Sequence, residues 1–339
     1  MFEVAYTMFL VLAALFLPFL QVVLAASRTS PPSGALVVRA GTTTSGEFKT
    51  ISAAVAALPN DSSSQTIFIY PGTYTEQVYI DRSGPLTIFG YTQDTTTYTA
   101  NQVNLQFNAA RTTSASNDAT GTLRVHKDNF RMYNVNVKNT FGSGSQAGAL
   151  SEYGNKAGFY ACGFYGYQDT LYANQGTQVY LKGYIEGKTD FIYGRQGQAY
   201  FGGNTIAVRG AGFITASGRE SDDSGSYVFN QNTVVLASNA ESGTSGGYYF
   251  GRPWSDWAKV IFKSTVVKVA PEPALWILWD GDASSVDHVT FADYNTTGVS
   301  NINRASFATQ LSASQASQYS ISSAVGNDWQ SWVDMAYFV

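Results

Sequence analysis

Histidine and cysteine are nearly missing from this chain, and their scarcity narrows its chemistry before any motif is found. The 339 residues include two histidines, His126 and His288, and one cysteine, Cys162. Neither histidine shares a motif with a serine or an acid partner, which disfavours a Ser-His-Asp hydrolase. A lone cysteine forms no internal disulfide, and with no motif around it Cys162 reads as a small buried apolar residue at the repeated strand position. No His/Cys/Asp cluster has metal-ligand spacing, so neither a metal nor another cofactor is expected. Charge is also scarce. Charged residues make up 13% of the chain, the net charge is −4 and there is no basic run, which argues against nucleic acid or an anionic membrane surface as partner.

What the chain has instead is glycine (32), tyrosine (22) and phenylalanine (21), within a hydrophobic fraction of 44%. That composition suits short β-strands with aromatic ladders better than helices. Written in steps of 20 residues, Tyr160-Ala161-Cys162-Gly163, Tyr180-Leu181-Lys182-Gly183 and Tyr200-Phe201-Gly202-Gly203 line up. A fixed period of that length marks a solenoid of stacked coils. Gly-rich turns too short for a helix make those coils β-coils.

The same texture runs outward from this block. Thr66 to Tyr70, Gln77 to Ile80 and Leu86 to Phe89 read as strands between Pro-Gly and Ser-Gly-Pro turns. Thr122 to Val125, Phe130 to Val137, Tyr227 to Leu236 and Lys259 to Val269 continue the pattern. Before them, Ile51, Val55 and Leu58 share one helical face until Pro59 stops the run, a natural cap for the open edge of a first coil. From Ser300 to Val339, Phe307, Leu311, Tyr319 and Ile321 lie in Ser/Ala/Gln-rich sequence that predicts short helices wrapping back over the coils. The expectation is an all-β chain, a right-handed parallel β-helix with a short N-terminal capping helix and C-terminal helical and loop segments.

Residues 1–26 carry an apolar core, Met8 to Leu20, followed by small residues through Ala25-Ala26-Ser27, the pattern of a cleaved secretory signal. Glu3 and the lack of Lys or Arg at the start leave an uncleaved anchor as the alternative. Residues 27–39 then read as a linker or the start of the mature chain, and 40–339 as a single domain. Sequons at Asn60 and Asn295 fit passage through a secretory route.

Within the central block Asp169 lies six residues after Gly163 and Asp190 seven after Gly183, nearly the same place on successive coils. Stacked strands are ~4.8 Å apart, so the two carboxyls approach closely if they point the same way. Two such carboxyls do not both ionise cheaply; one pKa rises while the other stays low, which supplies an acid and a base.

Three blocks around these residues, Gly166-Tyr167-Gln168-Asp169-Thr170-Leu171-Tyr172, Gly187-Lys188-Thr189-Asp190-Phe191-Ile192-Tyr193-Gly194 and Gly251-Arg252-Pro253-Trp254, resemble in order and spacing the signature blocks of pectin methylesterases. Ser145-Gln146-Ala147-Gly148-Ala149-Leu150 and Ile69-Tyr70-Pro71-Gly72-Thr73-Tyr74-Thr75-Glu76 agree, and the resemblance runs from about Ala40 to the C-terminus. It implies a secreted, monomeric esterase of methylated pectin on a parallel β-helix. By that resemblance Asp190 is the nucleophile, Asp169 the acid and base, Gln146 and Gln168 the oxyanion donors, and Arg252 the partner that keeps Asp190 ionised. Tyr172, Tyr193 and Trp254 match residues that contact sugar rings, with Tyr193 standing where Phe is frequent. Trp276 and Trp279, near the C-terminal coils, are candidates to line the cleft but stay unassigned. A β-helical glycosidase or lyase acting on the same polymer, and a noncatalytic sugar-binding β-helix, are the competing readings, because a carboxylate pair alone also serves glycoside cleavage.

Overall fold

The computed structural model describes residues 26–339, so the signal sequence expected over 1–26 lies outside the described residues except for its last position. Short apolar strands stack in register into three parallel sheets of twelve, eight and seven strands. Each complete coil gives one strand to each sheet, which makes the chain a right-handed parallel β-helix. One coil runs through Ala157–Tyr160, Gly163–Tyr165 and Leu171–Ala173, and the next through Gln175–Leu181, Tyr184–Gly187 and Ile192–Gly194.

Between the large and the second sheet the chain turns on a single residue of positive φ: Asn134 (53°), Ala161 (50°), Lys182 (53°), Gln231 (54°), Ser264 (48°) and Asn295 (52°). These bends divide the longer runs read as continuous strands. Phe130 to Val137 becomes Phe130–Tyr133 and Val135–Asn139, and Tyr227 to Leu236 becomes Ser226–Asn230 and Thr233–Leu236. A corner of one or two residues is too short to read as a loop. Its backbone N–H is satisfied from the next coil, as in Asn134 N to Tyr160 O (3.1 Å) and Ala161 N to Leu181 O (2.9 Å).

The central repeat is 21 residues, not 20. Phe159 pairs with Tyr180 and Tyr180 with Phe201, while Tyr160 pairs with Leu181. A shift of one residue exchanges the faces of a strand. Tyr180 accordingly points into the coil, whereas Tyr160 and Tyr200 point out towards the C-terminal segment. Inside, Phe159, Tyr180, Phe201, Phe229 and Phe262 form a stack with centroids 5.0, 4.8, 4.4 and 4.2 Å apart, close to the spacing of the strands themselves. Cys162 lies at the bend between strands rather than within one; it is free and buried, and burial pushes its thiol up to about 12.

Both ends are closed as expected. The helix Ile51–Ala56 buries Ile51 and Ala54 over the first coil, with Val55 and Leu58 packed alongside. That coil already includes Leu36–Val38, from the segment read as linker. Helices Ala313–Ser317 and Ile321–Val325, each with a serine capping box, lay Ala316, Ile321 and Val325 over the outer face of the large sheet, and the turns that follow add Trp332 and Tyr337. Among the described residues no helix is long and apolar enough to cross a membrane.

Candidate active site

The outer face of the seven-stranded sheet carries one continuous row. Register places Tyr79, Arg124, Ser151, Tyr172, Tyr193, Ala216 and Arg252 side by side, one from each coil. Beside the last members opens a cleft of ≈ 170 Å³ lined by Asn117, Gln146, Gln168, Asp169, Asp190, Tyr193, Ala216, Arg252, Trp254 and Trp279. Seven of the eight residues singled out from the sequence thus meet in one place. Tyr172 does not line the cleft; it is stacked on Tyr193, with centroids 4.4 Å apart.

Asp169 and Asp190 occupy equivalent turns leading into this sheet. Both have positive φ, 62° and 50°, a region that Asp tolerates better than most residues. The turns are locked together: Gln168 and Thr189 form a parallel bridge, and Asp169 N donates to Thr189 O at 3.1 Å. Ala147 N donates to Gln168 O at 3.0 Å, which holds the segment bearing Gln146 one coil further along.

Each carboxyl is only 5% exposed, yet their partners differ. Asp190 is held by both arms of a guanidinium, with Arg252 Nε to Oδ1 at 3.0 Å and Nη2 to Oδ2 at 2.8 Å. Asp169 accepts a single neutral donor, Asn117 Nδ2, at 3.3 Å. Burial pushes Asp169 well above the usual carboxylate range, and the charge of Asp190 pushes it further. Burial raises Asp190 as well, but there the hydrogen bonds and charge of Arg252 oppose it. The site therefore favours a protonated Asp169 beside an ionised Asp190.

Arg252 is fixed from both sides, its guanidinium 4.2 Å from the Phe213 ring centroid and 3.8 Å from that of Trp279. Its remaining nitrogen reaches Asp280 at 3.4 Å. Trp254 packs near Tyr193 and under Arg195, whose guanidinium is 4.0 Å from the indole centroid. Gly218 makes room for that indole, since a Cβ there would fall 2.5 Å from it. Trp276 is buried in the core, stacked on Phe291 at 4.2 Å.

Asn117 was not picked out from the sequence, and Trp279 was named there only as a tryptophan that could line the cleft. Asn117 sits in a Ser/Thr/Asn-rich stretch with no motif and is drawn in because Thr120 N and Oγ1 both bond its carbonyl. Trp279 comes from a loop beyond the last coils of the sheet, and only the fold brings it to Arg252. Among the described residues no group of three or more His, Cys, Asp or Glu is placed to hold a metal ion.

The pectinesterase family profile matches residues 36–328. A pectinesterase of Aspergillus niger is 42% identical over 326 residues, covering 94% of this chain and 96% of its own length. One from Aspergillus aculeatus is 40% identical, covering 93% and 96%. The crystal structure of the pectin methylesterase from Aspergillus niger superimposes with a TM-score of 0.84 at 37% identity, covering 92% of this chain and all of that one. The cleft between paired carboxyls, the coil architecture and these likenesses over nearly the whole length agree, and the chain belongs to the pectinesterase family, as a carboxylic ester hydrolase.

Proposed function

We propose that the enzyme removes methyl groups from the galacturonate esters of pectin by a two-aspartate mechanism, and that it acts outside the cell. The observation that carries this reading is the unequal treatment of the two carboxyls. One is ion-paired at both oxygens while the other sits beside it with only a neutral donor.

An ionised Asp190 attacks the C6 carbonyl of the methyl ester and forms a tetrahedral oxyanion. Gln146 and Gln168, both lining the cleft, are the donors for that oxygen. A neutral amide suits the task, because a cation would bind the carboxylate product as well as the transition state, and only the difference accelerates the reaction. As the C–O bond breaks, Asp169 gives its proton to the methoxy oxygen and methanol leaves, with the galacturonyl group joined to Asp190 as an anhydride. Asp169, now a carboxylate, takes a proton from water, whose oxygen attacks the anhydride. Collapse frees galacturonic acid, which releases its proton to solvent to become galacturonate, and it returns Asp190 to its carboxylate with Asp169 protonated.

The half-buried indoles of Trp254 and Trp279 give a sugar ring apolar faces to rest on. Secretion is supported by the apolar 1–26 segment with its small-residue end. Incubation with methylated pectin tests the activity. Release of methanol without new reducing ends is expected. New reducing ends would replace this reading with chain cleavage, and binding without either product would leave a noncatalytic sugar-binding protein.

A further inference from the structure

Tyr193 is 2% exposed, and its hydroxyl is buried without any hydrogen-bond partner. A buried orphan of this kind costs stability relative to an apolar group of the same shape, so a phenylalanine would fit the site at lower cost. The ring itself is well used: it stacks on Tyr172 and packs against Trp254. Only the oxygen lacks a structural role. It shares the cleft with Asp169 and lies near enough that it favours that carboxyl's charged form, while the charge of Asp169 raises the phenol in turn.

In the proposed reaction Asp169 starts neutral and becomes a buried carboxylate once it has protonated methanol. The charge of Arg252 reaches that carboxylate, but its N–H groups are committed to Asp190 and Asp280 and donate none of their hydrogen bonds to it. Two neutral donors stand beside it instead. Asn117 already donates through Nδ2, and the segment behind it is anchored at Asp118, which accepts from Arg124 and Ser151 and meets His126 Nε2 at 2.8 Å. The amide nitrogen can only donate, so Oδ2 of Asp169 accepts from it.

We propose that the Tyr193 hydroxyl and the Asn117 amide form a positioning pair that takes up the negative charge left on Asp169 after it protonates the leaving methanol. Tyr193 remains a donor throughout, since burial and the nearby Asp169 keep its phenol protonated well above its ordinary range. The orphan hydroxyl is then a group held ready for a charge that exists only during turnover.

This inference rests on Asp169 being the general acid, and the experiment separates the two claims. Tyr193→Phe removes one oxygen and preserves the stacking. It is expected to lower kcat about tenfold with little change in KM, and to leave thermal stability unchanged or raised. A donor favours the charged form of an acid, so its loss raises the pKa of Asp169 and moves the alkaline limb of kcat/KM upward. Asn117→Ala is expected to change kcat and that limb in the same direction. Wild-type kcat and an unmoved alkaline limb in Tyr193→Phe would overturn the proposal, as would a change confined to KM or a fall in stability without a shifted limb. Asp169→Asn serves as the separate arm. Retained turnover there would reject Asp169 as the acid, whereas an inactive Asp169→Asn beside a fully active Tyr193→Phe would reject the positioning pair alone.

Discussion

Arg252 grips Asp190 through both carboxylate oxygens, at 3.0 and 2.8 Å, although the two residues are 62 positions apart. The guanidinium comes from the strand Tyr249–Pro253, two coils along from the turn that bears Asp190, and Phe213 and Trp279 fix its plane. The contact opposes the rise that burial imposes on Asp190. It thereby favours a charged Asp190 in a largely buried site.

Replacing Arg252 by Ala should move the acid limb of the pH–rate profile upward. Asp190 must be ionised to attack, so activity falls as pH drops through its pKa. Without the guanidinium that pKa climbs and the fall begins at higher pH. Measuring kcat/KM against pH in both proteins checks this, and an unmoved acid limb would mean that Arg252 serves only to bind substrate.

Gln168→Ala removes a donor from the proposed oxyanion site. The expected loss is on the order of 10²-fold in kcat with a smaller effect on KM, by analogy with other oxyanion donors. Steady-state kinetics on methylated pectin decides it; a change in KM alone would reassign Gln168 to ground-state binding.

The scaffold can be perturbed apart from the chemistry. Phe201 lies in the middle of the internal stack, 4.8 Å from Tyr180 and 4.4 Å from Phe229, and is fully buried. Phe201→Ala should cost about 3–5 kcal/mol of unfolding free energy, read by denaturant titration. Below its unfolding transition the folded fraction should keep near wild-type kcat, because Phe201 faces the coil interior and not the cleft.

How much of this was legible in the sequence depends on the kind of signal. Asp169 and Asp190 were found because a coil repeats both a position and a residue type there, and Arg252 because Pro and Trp follow it in a recognisable block. The repeat length was misread by one residue, since Tyr recurs on both faces: Tyr160 and Tyr200 pack outward and Tyr180 inward, so matching letters did not mean matching places. The bends at Asn134, Gln231 and Ser264 were missed because a corner of one or two residues, though polar, is too short to read as a loop between strands. Asn117 and Trp279 belong to loops whose path is set by tertiary contacts, through Thr120 and Arg252 respectively. No local pattern carries that information. The orphan hydroxyl of Tyr193 was equally hidden, because the letter Tyr says nothing about whether its oxygen has a partner.

The account turns on two neighbouring aspartates in opposite protonation states, and the pH dependence of kcat/KM for methanol release tests that most directly. A bell-shaped profile is expected, with an acid limb from ionised Asp190 and an alkaline limb from protonated Asp169, the apparent values belonging to the coupled pair. Because both limbs come from carboxyls, His126→Gln and His288→Gln should leave both in place. A single limb near the histidine range, ~pH 6.5, that vanished in either histidine variant would contradict the two-aspartate mechanism.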